Sequence, residues 1–333
     1  MKKQLLTCVM GVSIAVNLSG CDSSASGDEQ ADSFSPRYDS QQVNTSLASL
    51  GTLENAIVAM DQVQWTYDEL NNPFVVVLVN KARTEAMASG IQDREESGWQ
   101  VLPCPVGGEM HRRVDTLFGE NEGDFQLHMD DRFFDCAVWD QNEVLHRMNG
   151  LMSTNVIQDV NRCERRLDRH FDLHGTSAYS GEEFPLYYRG DLNNLQRSEC
   201  SDQTEEAPFD MITVTTPGLE IQYLESYLIA ENFRYEQQVP WGTLEDLYSQ
   251  SSAAGRIVAS AVGGYFTLET LRDYVWFDYD YCPLAGVVKM NGESEVISYE
   301  GEDAGPDASL RVTIDGVAVL SENNCEMHDN EIK

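Results

Sequence analysis

Lysine is nearly missing from this chain. Of 333 residues, 22 are Lys or Arg against 56 Asp or Glu, and the formal net charge is −34. Beyond Lys2 and Lys3, only Lys81, Lys289 and Lys333 occur. A surface that negative repels phosphate backbones and anionic headgroups, which excludes nucleic acid as a partner. The acidic residues are spread along the chain rather than blocked, as solubility requires. Long apolar runs are missing too: Leu5 to Leu18 is too short to cross ~30 Å of hydrocarbon as a helix. None of the eight cysteines stands in a C-x-x-C spacing, which argues against a zinc ribbon or a thioredoxin-like redox pair. The chain also lacks a G-x-S-x-G elbow, an H-E-x-x-H helix, a phosphate loop and a dinucleotide fingerprint.

What is present begins at the N-terminus. Met1-Lys2-Lys3 gives a positive start, Leu5 to Leu18 an apolar segment, and Leu18-Ser19-Gly20-Cys21 a small-residue end before the polar run Asp22-Ser23-Ser24. This pattern resembles a bacterial lipoprotein signal. The resemblance implies a signal peptide over 1–20, lipidation of Cys21 as the first mature residue, and a cell-envelope location facing the periplasm. Asp22 resembles the enterobacterial inner-membrane retention signal, so the inner membrane is slightly favoured over the outer. Residues 21–45, rich in Ser, Asp, Gln and Gly, read as a disordered lipidated tether that reaches roughly 25 Å as a flexible coil.

Six cysteines follow: Cys104, Cys136, Cys163, Cys200, Cys282 and Cys325. An even number in an exported chain reads as a disulfide framework. Six allow about 15 pairings. Nearest neighbours are expected to join, Cys104 to Cys136, Cys163 to Cys200 and Cys282 to Cys325.

The hydrophobic period separates two regions. Leu53, Ala56, Ile57, Met60 and Val63 recur at helical steps, and a second helix is expected from Asn72 as N-cap with Pro73 next. Its apolar side would be Phe74, Val77, Leu78, Ala82, Glu85 and Ala86, with Gly90 as its stop, although Val75-Val76-Val77 also suits a strand. Residues 46–96 thus form a helical segment packing on a sheet. From 97 to 333 the period shortens to two: Phe125, Leu127 and Met129 alternate with polar residues, as do Leu167, Phe171 and Leu173, and Leu310, Val312 and Ile314. Asn149-Gly150, Asn291-Gly292 and Asp315-Gly316 read as two-residue hairpin turns. The expected fold is mainly β: an antiparallel meander of hairpins, a curved sheet or barrel-like, disulfide-braced, with a short N-terminal helical segment. The stretch from Thr243 to Ala254 fits either helix or strand.

Cys104-Pro105-Val106-Gly107-Gly108, then Phe134-Asp135-Cys136 and Asn149-Gly150, is similar to a pattern in β-rich proteobacterial envelope lipoproteins. The same holds for Phe266 to Leu271, Cys282-Pro283-Leu284-Ala285-Gly286 and Ile314-Asp315-Gly316. This resemblance implies envelope location and β architecture but no reaction. Gly119 to Asp124 departs from the Asp/Gly-rich turn of that pattern.

Candidate chemistry is sparse. His170, Asp172 and His174 would share one strand face and could ligate a divalent cation, the one cofactor the residues suggest, although arginines 165, 166 and 169 lie close by. Asp278 and Asp280 form a carboxylate pair suited to acid–base work if buried together. Glu300, Glu302, Asp303 and Asp307 offer oxygens on a tight loop, off the spacing of a calcium loop. Tyr274, Trp276, Tyr279 and Tyr281 concentrate aromatic surface that could line a ligand groove. The reading is a lipid-anchored envelope protein of structural or binding role with no catalytic activity evident. The alternatives are a carrier or sensor of a small apolar or glycan ligand, and an envelope hydrolase. The membrane, through Cys21, is its one defined partner.

Overall fold

The structure is a computed structural model, and it describes residues 44, 46–88, 94–96, 98–119, 121, 123–198, 211–238, 248–277, 285–291, 295–300, 309–314 and 316–322. Thr52 starts the first helix, α1 (Leu53–Asn71), because its hydroxyl oxygen accepts from the Asn55 N–H at 3.2 Å. Asn72 ends it, donating its backbone N–H to Asp68 O. The second helix, α2 (Phe74–Ala88), begins one residue later than expected: the Pro73 carbonyl accepts the first turn, and Asn72 belongs to the end of α1. The cap comes from across the corner, where the Glu69 carboxylate accepts the Phe74 N–H at 3.1 Å. The buried side of α2 is Val75, Leu78, Val79, Ala82 and Ala86, while Val77 and Glu85 face outward. The β-branched run stays helical because Val75 and Val79 bury against the sheet. Gly90 lies outside the described residues.

Strand structure starts at Arg94, inside the segment expected to be helical. The strands are β1 (Arg94–Glu96), β2 (Trp99–Pro103), β3 (Gly107–Phe118), β4 (Phe125–Trp139), β5 (Leu145–Asp159), β6 (Glu164–Tyr179), β7 (Glu182–Arg197), β8 (Met211–Tyr223), β9 (Ser226–Gln238), β10 (Tyr248–Ala259), β11 (Gly264–Phe277), β12 (Ala285–Met290), β13 (Glu295–Glu300), β14 (Ser309–Ile314) and β15 (Val317–Glu322). Each pairs antiparallel with the next, giving one meander in sequence order. The ambiguous stretch near Ala254 is therefore strand from Tyr248 on. Among the described residues β1 and β15 do not pair, so the sheet is open, not barrel-like.

One expected turn is not a turn. Asn149-Gly150 lies inside β5, where Phe133 pairs with Gly150 and Cys136 with Met148. Phe134 and Asp135 thus face Asn149 alone, which makes a β-bulge. Asp135 takes φ 50°, and its N–H donates to the Asn149 side-chain oxygen at 2.8 Å. Gly150 is needed for close approach: a Cβ there would sit 2.0 Å from Asp172 O. Asn291 and Gly316 do lie in connections between strands, both with positive φ.

Alternation divides the sheet into two faces. On the inner face Met148, Met152, Phe171, Leu173 and Tyr188 are buried and meet α1 and α2. Tyr67 of α1 meets Tyr235 at a tilt with ring centroids 4.4 Å apart, and Phe74 of α2 meets Tyr188 edge-on at 5.5 Å. Each such side chain contributes about 1.5–3 kcal/mol by leaving water. The Cys104–Cys136 disulfide ties the loop before β3 to β4, as the nearest-neighbour pairing expected. Cys163 is also disulfide-bonded, while Cys200, Cys282 and Cys325 lie outside the described residues.

Candidate functional site

The inner face holds a few polar groups, several of them against a partner. Arg112 of β3 and Asp131 of β4 are paired residues on that face and make a bidentate bridge, both bonds 2.7 Å, at 8% and 1% side-chain exposure. At the α1–α2 corner the Glu69 carboxylate accepts from Phe74 N–H and from the Tyr188 hydroxyl, both at 3.1 Å. Burial pushes its carboxyl up to about 7 against the pull of these bonds, and the neighbouring Asp68 adds to the rise. Tyr188 is fully buried, and burial beside Glu69 holds its hydroxyl protonated.

A second group has the composition of a catalytic triad. His146 of β5 and Ser177 of β6 are register partners, and Ser177 Oγ is 2.9 Å from His146 Nδ1. His146 Nε2 stands 3.4 Å from the Asp140 carboxylate, which also accepts from the Asn142 and Val144 N–H groups and the Tyr223 hydroxyl. Both His146 and Ser177 are 0% exposed, roofed by Phe74 and Tyr223. No substrate carbonyl reaches this serine. Burial lowers the His146 pKa, with Asp140 opposing, so the ring is a neutral strut between β5, β6 and the β4–β5 turn.

The outer face is polar along its length. Arg113, Asp130, Ser153, His170 and Asp191 are successive register partners on β3 to β7. Arg113 donates to Asp130 at 2.8 Å, Ser153 to Asp130 at 2.6 Å, and His170 Nδ1 lies 2.8 Å from Asp191. That last bond raises the His170 pKa, with burial opposing. Asp172 meets Arg189 at 3.3 Å. The guanidinium groups of Arg113 and Arg132 stand over the Trp99 ring at 5.2 and 4.5 Å.

His170, Asp172 and His174 do share this face, as their spacing requires. Yet His170 and Asp172 are turned to separate partners, and among the described residues no three His, Cys, Asp or Glu side chains gather as a metal ion needs. In the acidic turn after β3, Asp124 is held by the Asn121 side chain and the Val160 N–H, which keep its pKa low. Cys21, Asp278, Asp280, Glu302, Asp303, Asp307, Tyr279 and Tyr281 lie outside the described residues, as do the side chains of Tyr274, Trp276 and Glu300.

At the end of the outer face where β5 meets β6 and β7 meets β8 there is a trough of about 560 Å³. Its rows follow register: Asp159, Glu164, Arg197 and Met211 outermost, then Ile157, Arg166, Leu195, Thr213 and Glu236. Arg162 and Arg234 complete its charged rim. The opposite end of the sheet holds the start of the described chain: Asn44 bonds Tyr227 and Gly263, and the segment behind it pairs with Tyr265.

Neither a family model, nor a curated protein, nor a solved structure matches this chain. The residues alone therefore carry the functional argument. The trough was missed from sequence because its four arginines come from three separate segments, the start of β6 with the turn before it, the end of β7, and β9. The one local signal was Arg166-x-Asp168 and Arg234-x-Glu236, since residues two apart on a strand share a face.

Proposed function

We propose that this is a lipid-anchored envelope protein that works by binding and not by catalysis, with the outer face of its sheet as the working surface. The observation that carries this reading is the division of the sheet. The inner face is filled by Phe171, Tyr188, Phe233 and the two helices, which leaves the carrier reading without an interior compartment among the described residues. The Ser177–His146–Asp140 alignment is sealed, which removes support from the hydrolase reading at that place. The outer face is open and carries the trough.

The anchor rests on Leu18-Ser19-Gly20-Cys21, about two dozen residues ahead of Asn44. The described chain starts at the end of the sheet opposite the trough. Mass spectrometry of protein isolated from its host's membranes tests the anchor: the expected N-terminal residue is Cys21 carrying acyl chains. An unmodified N-terminus elsewhere, on protein recovered from the soluble fraction, overturns it. Fractionation with Asp22 substituted tests the inner-membrane placement.

A further inference from the structure

We infer that the trough binds an acidic oligosaccharide, a polyhydroxylated chain bearing carboxylates; this rests on the binding role proposed above and specifies its ligand. Four arginines converge on one hollow in a chain with 22 basic residues and a net charge of −34. The lining also holds Asp159, Glu164 and Glu236, so its formal charge is +1 against −34 for the whole chain. Beyond a Debye length of about 8–10 Å the overall negative field is screened, and the groups lining the trough decide what docks.

Each arginine is oriented by a carboxylate, through Nε in three of the four. Arg166 Nε donates to Asp168 at 2.9 Å, Arg197 Nε to Glu164 at 2.8 Å, and Arg162 Nε stands 3.5 Å from Asp159. Arg234 pairs with Glu236 through Nη2. The side chains of these arginines remain 54–75% exposed. A guanidinium held at Nε is fixed in direction and still offers its Nη edge, the donor pair that fits a carboxylate. Between them Asn193, Thr213 and Thr215 supply the amide and hydroxyl groups that match sugar hydroxyls. The floor is apolar at Leu195, and Ile157 and Met211 are 36% and 40% exposed beside it. Those side chains suit the C–H face of a sugar ring. A volume of 560 Å³ falls in the range of small-ligand sites.

The test is isothermal titration calorimetry on the full chain with three probes: a tri-galacturonate, the neutral trisaccharide maltotriose, and an acidic tripeptide of glutamates. The tri-galacturonate is expected to bind roughly tenfold or more tighter than maltotriose, the worth of a charge-assisted bond. Arg166→Ala with Arg197→Ala should weaken it at least about tenfold, whereas Arg147→Ala, an outer-face arginine paired with Asp135, should leave it unchanged. Arg166→Lys with Arg197→Lys keeps the charge and the fold and should still lose most of the affinity, since the planar fork is gone. Equal binding of neutral and acidic sugars, binding of the peptide alone, full affinity in the double variant, or no binding by any probe each overturns the inference. If Cys21 proves lipidated while the sugar fails, only this inference falls; if the sugar binds an unanchored chain, only the anchor falls.

Discussion

The two faces of the sheet are built from alternate residues of the same strands, yet they solve opposite problems. On β6, Phe171 and Leu173 are 1% and 0% exposed against the helices, while the alternate residues His170 and Asp172 look out and meet Asp191 and Arg189. The inner face holds its most enclosed charges as the bidentate pair Arg112–Asp131, because an unpaired buried charge costs several kcal/mol. The outer face carries many ion pairs that water screens and that contribute about 0–1 kcal/mol each. Stability therefore resides on one side, and freedom to vary for recognition on the other.

The sharpest way to break this comparison is to unpair the buried bridge. Asp131→Asn leaves Arg112 charged and enclosed, and should cost about 3–5 kcal/mol in urea unfolding. Loss of less than about 1 kcal/mol would mean that water reaches the inner face.

The corner carboxylate sharpens it next. Glu69 has a folded pKa of about 7 against an ordinary 4.5. Between those values the folded protein holds a proton that the unfolded chain has released. Its contribution is complete below pH 4.5 and lost as pH rises through 7, a swing of about 3 kcal/mol. Glu69→Gln keeps an oxygen for Phe74 N–H and Tyr188 and removes the charge. That variant should match the parent near pH 4.5 and exceed its stability at pH 8. His146 acts with the opposite sign: its depressed pKa removes stability as pH falls below 6.5, and that slope should survive in Glu69→Gln. Unchanged pH profiles would place the Glu69 carboxyl in water.

The smallest effect belongs to the outer face. Asp191→Asn should lower the His170 pKa, read by NMR titration, because the bond to Asp191 is the largest cause of its rise. Global stability should move by no more than about 1 kcal/mol, since the pair is half exposed. A larger loss would show that the outer ladder helps hold the fold.

Much of this division was legible in the sequence. Period-two alternation on β4 and β6 marked both strands and faces, and helical spacing placed α1 and α2. The wrong readings have physical causes. Asn149-Gly150 carries the composition of a hairpin turn, but its glycine serves a close backbone approach opposite the bulge at Asp135. Pro73 was read as the first residue of α2 because the cap that replaces Asn72, Glu69, acts from the preceding helix. The buried groups were illegible because their partners are distant: Tyr188 lies 119 residues from Glu69, and Ser177 lies 31 from His146. Only the strand register brings the second pair together. Likewise Arg169 broke the apolar alternation of β6, and it sits on the inner face with its pKa lowered by burial.

An alanine scan of seven successive β6 positions, Leu167 to Leu173, measured as urea midpoints, tests the two-faced account most directly. It should give a sawtooth: Phe171→Ala and Leu173→Ala costing about 2–5 kcal/mol, and Asp168, His170 and Asp172 within about 1 kcal/mol of the parent. A flat profile, or one with its peaks at the even positions, would contradict it.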